Sequence, residues 1–299
     1  MTKHNILFNK IANDILNYKL LSINEKPHRI CEVEFYLYSA DHIDPFTHRD
    51  KDQSIPNNWY FHKKNGTYKC GTFKGLDMTF RPVVTTYDKK FGIYGGMLIR
   101  SISILDKYGK ETGFIEGPCR VVDYILNECN MPKIKDFVDK YGVTIEDNEG
   151  LTLIDIPSDM ISCNIETIYN SPRVGLTLKN PEDIELRKKF IMQNYRYVIY
   201  PWKYKKNRKL IACQMIEQGL SSSQVLNLMK MTPKQMYDLQ SEYEHSKNYD
   251  MNDYKKKTLK VADIVSLMSA CNNNYQMSND TTKIIEDDCI SDIIDELYA

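Results

Sequence analysis

The spacing of apolar and polar positions divides the chain into three parts. Apolar residues recur at helical intervals over 5–22, which predicts an amphipathic helix. From 30 to about 201 strand-like and helix-like runs are mixed, and from about 206 to 245 the pattern is helical throughout. The predicted strands are 30–38, 67–80, 95–104 and 194–200, and the predicted helices of the mixed part are 118–129 and 133–140.

Composition places the chain among folded globular proteins. Its 299 residues suffice for one large domain or two ordinary ones, and 42% of them are hydrophobic. No apolar run reaches the roughly 18 residues of a membrane span, and the first residues lack the apolar core of a signal peptide. We therefore expect an intracellular protein with no membrane partner.

The eight cysteines predict no chemistry of their own. They form no CxxC pair, and no Cys–His group has zinc-finger spacing. Scattered cysteines in a reducing compartment are usually small buried apolar side chains. The sequence therefore predicts no metal site, and a redox or nucleophilic role for a cysteine is the less favoured alternative.

Charge is unevenly distributed although the formal net charge is zero. Residues 280–299 contain seven acidic residues and one lysine, a charge of −6, so 1–279 carry +6. A basic body can neutralise nucleic-acid phosphates. The segment KYKKNRK at 203–209 contains five basic residues and is either a DNA-binding segment or a solvated loop. Its candidate DNA contacts are Lys203, Lys205, Lys206 and Arg208.

The stretch ICEVEFYLYSADHIDPFTH, residues 30–48, combines a β-strand pattern with two carboxylates. Strand alternation predicts one apolar face, Cys31, Val33, Phe35 and Leu37, and one face of acids and phenols, Glu32, Glu34, Tyr36 and Tyr38. The second face is either an exposed polar surface or a functional one. The loop that follows contains histidines and aspartates, which favours function.

Five blocks of sequence resemble the alkyladenine (3-methyladenine) DNA glycosylase family. ICEVEFYL resembles the family strand that bears the catalytic glutamate. The other blocks resemble a hairpin, a strand, a helix start and a closing segment of that family, in the same order. They are NGTYKCGTFKGLDM (65–78), GGMLIRSI (95–102), EGPCRVVDYIL (116–126) and SPRVGLTLKNPEDIELRKKFIM (171–192). The resemblance covers roughly 30–200, more than half of the chain.

The resemblance implies a fold and a division of the chain. The expected fold class is α+β, with a mixed, mainly antiparallel curved sheet or barrel surrounded by helices and an all-helical C-terminal extension. Residues 1–203 would form the catalytic domain, 204–250 a helical segment and 251–299 a polar to acidic tail. The helical segment lies outside the resemblance.

The resemblance also implies site residues. Glu34 matches the general base that activates water for attack on C1′ of the nucleotide, and Arg100 matches the arginine that holds the water and the glutamate. Tyr36 matches the tyrosine that stacks on the flipped-out base. His48 is the better match to the pocket histidine, with His42 as its competitor. The implied enzyme is monofunctional, because no lysine nucleophile is expected, and it needs no cofactor.

The hairpin block departs from the family pattern. Gly71 and Lys74 stand where the family has a pocket tyrosine and a tyrosine that wedges into the duplex. A glycine would enlarge the pocket, so a bulky modified base becomes the hypothesis, and Lys74 and Lys69 become candidate phosphate contacts. Three nearby aromatic residues could fill the stacking space opposite Tyr36, namely Trp59, Tyr60 and Phe73. Of these, we expect Phe73 to line the base pocket.

Two further segments are candidate DNA contacts. Gly117-Pro118 predicts a helix start able to bind phosphate together with Arg120, and an ordinary capped helix is the equal alternative. Residues 210–243 have the periodicity of a helix-turn-helix, with a second helix capped near Ser221 or Ser222 and a third starting at Thr232-Pro233. In it Lys234 and Gln235 would face a DNA groove. A small helical bundle that never contacts DNA is the alternative, since Lys230 replaces the usual turn glycine.

These observations predict a monomeric DNA glycosylase that removes a damaged or modified base and leaves an abasic site, in repair or in defence against foreign DNA. The first alternative is a non-catalytic DNA-binding protein that uses the helix-turn-helix-like segment. A second alternative is a small-molecule enzyme, for example a formyltransferase, on a related barrel. Glu34→Gln separates an enzyme from a binder, because only an enzyme loses base release.

Overall fold

A computed structural model describes residues 2–81, 92–158, 160, 163–178 and 183–245. Within these residues the chain forms two compact units. The first comprises 2–168 with 197–199, and the second comprises 169–196 with 200–245. This division does not coincide with the expected boundary at 203/204. The expected tail at 251–299 lies outside the described residues.

The chain is a mixed α+β protein, as predicted, with a curved and mainly antiparallel sheet. The strands are β1 (Lys19–Ile23), β2 (Lys26–Ser39), β3 (His42–Ile43), β4 (Trp59–Phe61), β5 (Lys63–Lys64), β6 (Thr67–Tyr68), β7 (Leu76–Thr79), β8 (Tyr94–Leu105), β9 (Glu111–Glu116), β10 (Leu151–Asp155), β11 (Tyr169–Ser171) and β12 (Arg196–Val198). The helices are α1 (Lys3–Asn17), α2 (Pro118–Glu128), α3 (Ile134–Tyr141), α4 (Ile184–Ile191), α5 (Arg208–Glu217), α6 (Ser222–Met229) and α7 (Pro233–His245).

Strand β2 is central to the sheet of the first unit. The strand order is β10-β1-β2-β8-β7-β4, with antiparallel pairing at each step. Strand β8 pairs with β2 along one edge and shares its other edge between β7 and β9. This arrangement brings β2, β8 and β7 side by side, and they carry the polar residues described below.

The apolar face of β2 forms the core, as the alternation predicted. Helix α1 covers this face, and the ring of its Phe8 stacks on Phe35 with 4.6 Å between centroids. The helix predicted over 5–22 ends early, at Asn17, and β1 begins at Lys19. The apolar residues of β1 are buried in the sheet between β2 and β10, and this non-local pairing overrides the helical spacing.

The run 67–80 is not one strand, as its composition had suggested. It contains β6, a 3-10 turn at Gly71–Phe73 and β7. Gly71 has a φ of +58°, a conformation that interrupts a strand and favours glycine. Two strand predictions are confirmed as parts of longer strands: 30–38 lies inside β2 and 95–104 lies inside β8. Two helix predictions, 118–129 and 133–140, are confirmed with ends that differ by at most one residue.

The second unit contains the predicted C-terminal helices. Ser221 caps α6 through a capping box with Gln224, and α7 starts at Pro233 after Thr232, as predicted. Lys230 ends α6 with a φ of +48°, so it occupies the left-handed position for which glycine is usual. The segment is therefore a set of three short helices, of which α6 and α7 begin with side-chain caps. Over the described residues, none of the helices has both the length and the apolar character needed to span a membrane.

Candidate active site on the Glu34 strand

A double irregularity in the pairing of β2 with β8 creates the site. Glu32 pairs with Ser101 and Val33 pairs with Ile99, so Arg100 is an extra residue on β8. One step earlier, Cys31 is the extra residue on β2. Such bulges bend the strand and redirect side chains. Here the bulge aims Arg100 at the carboxylates of β2.

Arg100 joins both carboxylates of the predicted polar face. Its Nη1 lies 3.1 Å from Oε2 of Glu34, and its Nε lies 3.0 Å from Oε1 of Glu32. The hydroxyl of Ser101 donates to Oε2 of Glu32 over 2.5 Å. Glu34 is 0% exposed and Glu32 is 2% exposed, so the alternative of a solvated strand face is wrong.

The electrostatics of this cluster favour a permanently charged arginine. Burial acts to lower the pKa of Arg100, but the charges of Glu34 and Glu32 outweigh it and raise that pKa above its usual value. Tyr36 adds a donor, since its hydroxyl donates to Oε2 of Glu34 over 2.9 Å. Glu34 is thus held by a guanidinium and a phenol that both bond to the same oxygen.

A second polar group lies two strands away on the same face. Glu34 pairs with Leu98, Leu98 pairs with Asp77, and paired residues face the same side of a sheet. The backbones of Glu34 and Asp77 are therefore roughly 10 Å apart, two strand spacings. Gly96, which pairs with Tyr36, provides the room, because a Cβ there would lie 2.6 Å from Oδ2 of Asp77.

Asp77 is 2% exposed and holds His62 in place. Nε2 of His62 lies 2.7 Å from Oδ1 of Asp77, and Nε2 of Gln53 donates to Oδ2 over 3.0 Å. Sequence reasoning missed all three residues. Asp77 is an acidic residue within the hairpin block, so the sequence could have indicated it as a candidate site residue. Nothing in the sequence around it indicates that His62 and Gln53 are its partners.

His48 belongs to this second group. Its ring lies 4.5 Å from that of His62, and Nζ of Lys69 lies 3.3 Å from its Nε2. Burial, followed by the charges of His62 and Lys69, lowers the pKa of His48 to about 4. His48 is therefore neutral near pH 7. Through its contact with His62 it belongs to the face that carries Glu34.

His42 lies on the opposite face, so it does not line a pocket with Glu34. Its Nδ1 is 2.8 Å from the carbonyl oxygen of Leu37, and its ring packs edge-on against Phe8. Phe8 in turn stacks on Phe35 of the apolar face. The physical reason is that β3 folds back onto the end of β2 and inserts His42 beneath α1.

The hairpin residues occupy the 3-10 turn and its flanks. Phe73 is 76% exposed and is not packed in a pocket, contrary to its expected place. Lys74 forms an ion pair with Asp123 of α2. A Cβ on Gly71 would meet nothing within 4 Å because the turn is exposed, so the enlarged base pocket stays a prediction. Trp59 is buried and donates from Nε1 to the Leu151 carbonyl, which is a packing role.

The remaining candidate DNA contacts are distant in sequence from the Glu34 strand. Arg120 is exposed in the first turn of α2, which starts at Pro118 as predicted. In the second unit, Lys203 lies over the ring of Tyr200 and Arg208 donates to the Met229 carbonyl. Oε1 of Gln235 accepts from Thr232 N–H and thus caps α7. The other exposed members of this set are Lys205, Lys206, Lys234 and Gln235.

Metal ligands do not cluster in the described part of the chain: no group of three His, Cys, Asp or Glu side chains there is suited to hold an ion.

Comparisons with known proteins identify one relationship. No family model matches the chain, and no solved structure matches it. The chain is 35% identical over 211 residues to the uncharacterized protein L759 of Acanthamoeba polyphaga mimivirus, and the match covers 67% of this chain and 89% of that protein. The chain belongs to the same family as this mimivirus protein.

Proposed function

We propose that the chain is a monofunctional DNA glycosylase related to the alkyladenine glycosylases. The observation that carries the proposal is the buried Glu34, paired with Arg100 and hydrogen-bonded to Tyr36 at the position where the resemblance requires a general base. A buried carboxylate paired with a guanidinium is costly, and such groups are often retained for function.

The proposed reaction is hydrolysis of an N-glycosidic bond. Cleavage develops positive charge on the sugar, which a nearby carboxylate stabilises. The Glu34 carboxylate would accept a proton from water as the water oxygen bonds to C1′. The bonding electrons leave with the base, and the products are a free base and an abasic site. Arg100 would position both the carboxylate and the water.

Tyr36 would serve as the platform for the flipped base. It is half-buried, next to Glu34 on the same strand face, and its hydroxyl is anchored by Glu34. Gly71 stands where the resemblance implies a pocket tyrosine, and this departure from the family pattern is the basis for proposing a bulky modified base. The residues opposite Glu34 across β8, Asp77 and His62, would add hydrogen-bonding groups for such a base.

A non-catalytic DNA-binding protein is the second candidate. The observation that favours it is the set of helices α5, α6 and α7, in which Lys234 is exposed at the start of α7. In that case the Glu34 cluster would recognise a base without cleaving it.

The test is base release from duplex and single-stranded DNAs that carry different modified bases, measured by mass spectrometry. We expect wild type to release one class of base and Glu34→Gln to lose about 10²–10⁴-fold in rate while still binding DNA. Glu146→Gln, in an exposed loop, is the matched control and should keep full activity. DNA binding without release from any substrate would reject the glycosylase and leave the binding protein.

A further inference from the structure

A cavity of about 600 Å³ opens between the hairpin region and α3 in the first unit. One wall contains Tyr68, Lys69 and Lys74, and the other contains Lys133 and Lys135 at the start of α3. Its volume lies within the range of ligand-binding pockets. Neither Glu34 nor Arg100 lines it, so it is separate from the site described above.

The cavity is strongly basic. Four lysines and one carboxylate, Asp139, line it. Lys74 forms an ion pair with Asp123. Asp139 forms one with Lys135, but both side chains of this pair are exposed, so the pair is weak and a phosphate can replace the carboxylate. Among the described residues, Lys133 has no carboxylate within ion-pair distance, and the polar neighbour of Lys69 is the imidazole of His48. The cavity therefore retains positive charge that an anionic ligand would neutralise.

An exposed aromatic side chain lies on the turn that joins two lining residues. Phe73 stands between Cys70 and Lys74, both in the cavity wall, and 76% of it is exposed. The turn is tied to α2, since Sγ of Cys119 donates to the Gly71 carbonyl over 2.9 Å and Lys74 pairs with Asp123. Phe73 is thus exposed to solvent on a turn that is held to α2 by contacts on either side of it, at Gly71 and at Lys74.

Lysines together with an exposed aromatic ring match the chemistry of a single nucleic-acid strand. Lysines bind its phosphates, and an aromatic face stacks on an unpaired base. A small anion would need the lysines alone, and a duplex would not offer an unpaired base to Phe73.

We propose that this cavity binds the phosphodiester backbone of a single nucleic-acid strand, with Lys69, Lys133 and Lys135 on its phosphates and Phe73 stacked on one base. The proposal rests on the proposed function in one respect: the strand would be the continuation of the substrate DNA. Lys69 contacts His48, His48 contacts His62, and His62 bonds to Asp77 on the Glu34 face. These contacts connect the cavity to the candidate active site.

The test is a fluorescence anisotropy titration of the full chain with an unmodified single-stranded oligonucleotide at several salt concentrations. We expect Lys133→Ala/Lys135→Ala to weaken binding about tenfold at low salt and to reduce the slope of log K against log salt by roughly 1.4, about 0.7 for each lost phosphate contact. Phe73→Ala should weaken binding about 5- to 100-fold with an unchanged slope. Lys107→Ala, an exposed lysine between β8 and β9, is the control and should change neither quantity.

Wild-type affinity and slope in the double lysine variant would overturn the proposal. Equal competition by inorganic phosphate, with no effect of Phe73→Ala, would also overturn it in favour of a small-anion site. The substituted side chains are exposed, so thermal melting should confirm that the variants fold. The assay measures binding of unmodified DNA and involves no cleavage, so its result does not depend on whether the protein is a glycosylase. If the lysine variants bind like wild type, the cavity proposal fails even when their base release is normal.

Discussion

Nη1 of Arg100 lies 3.1 Å from Oε2 of the fully buried Glu34 because Arg100 is the extra residue of a β-bulge. In a regular ladder, each residue of β8 would face one residue of β2. Because of the bulge, the single guanidinium of Arg100 forms ion pairs with both Glu32 and Glu34. The charge balance of the candidate site thus depends on a backbone irregularity.

Replacing Arg100 should reveal this dependence as a loss of stability. Arg100→Leu removes the counter-charge of two buried carboxylates, so we expect the free energy of unfolding to fall by about 3–5 kcal/mol. Adding Glu34→Gln to Arg100→Leu should restore at least about 1 kcal/mol, because one uncompensated charge disappears. Urea unfolding of the four proteins of the cycle measures the coupling. Simple additivity of the two substitutions would contradict the ion pair.

Gly96 should resist substitution because it lies beneath the Asp77 carboxylate. A Cβ there would stand 2.6 Å from Oδ2 of Asp77 and 3.0 Å from Nε2 of Gln53. We expect Gly96→Ala to cost about 1–3 kcal/mol in thermal or urea unfolding, since both groups are buried and bonded to each other. Gly113→Ala is the control: its Cβ would come closest, at 3.0 Å, to the terminal methyl of Ile104, which can rotate away. Equal costs for the two variants would show that Asp77 is not packed on Gly96.

Acid should destabilise the first unit through His4. Burial, followed by the charge of His42, lowers the pKa of His4 from 6.5 to about 4. Between these values the unfolded chain binds more protons than the folded one, so stability falls as pH falls. We expect a loss of about 3 kcal/mol between pH 7 and pH 4 from this residue, by urea unfolding. In His4→Asn the same pH change should cost correspondingly less; an unchanged pH dependence would disprove the assignment.

The sequence by itself determined the features that depend on local spacing. Alternation along 30–38 identified both faces of β2, because side chains of a strand point to opposite sides in turn. The starts of α2, α6 and α7 followed from Pro118, Ser221 and Pro233, since helix starts obey local rules of capping and proline geometry. Glu34, Tyr36 and Arg100 were likewise found from short motifs, and the structure brings them into contact.

Only the tertiary structure decided which distant residues share the Glu34 face. Asp77 and His62 arrive there through the pairing of β2 with β8 and of β8 with β7, and a shift of one residue in that register would have turned them away. The same rule explains His42, which is close to Glu34 in sequence yet lies on the other side of the sheet. Register and bulges arise from contacts between strands that are far apart in the chain, so no local pattern contains them.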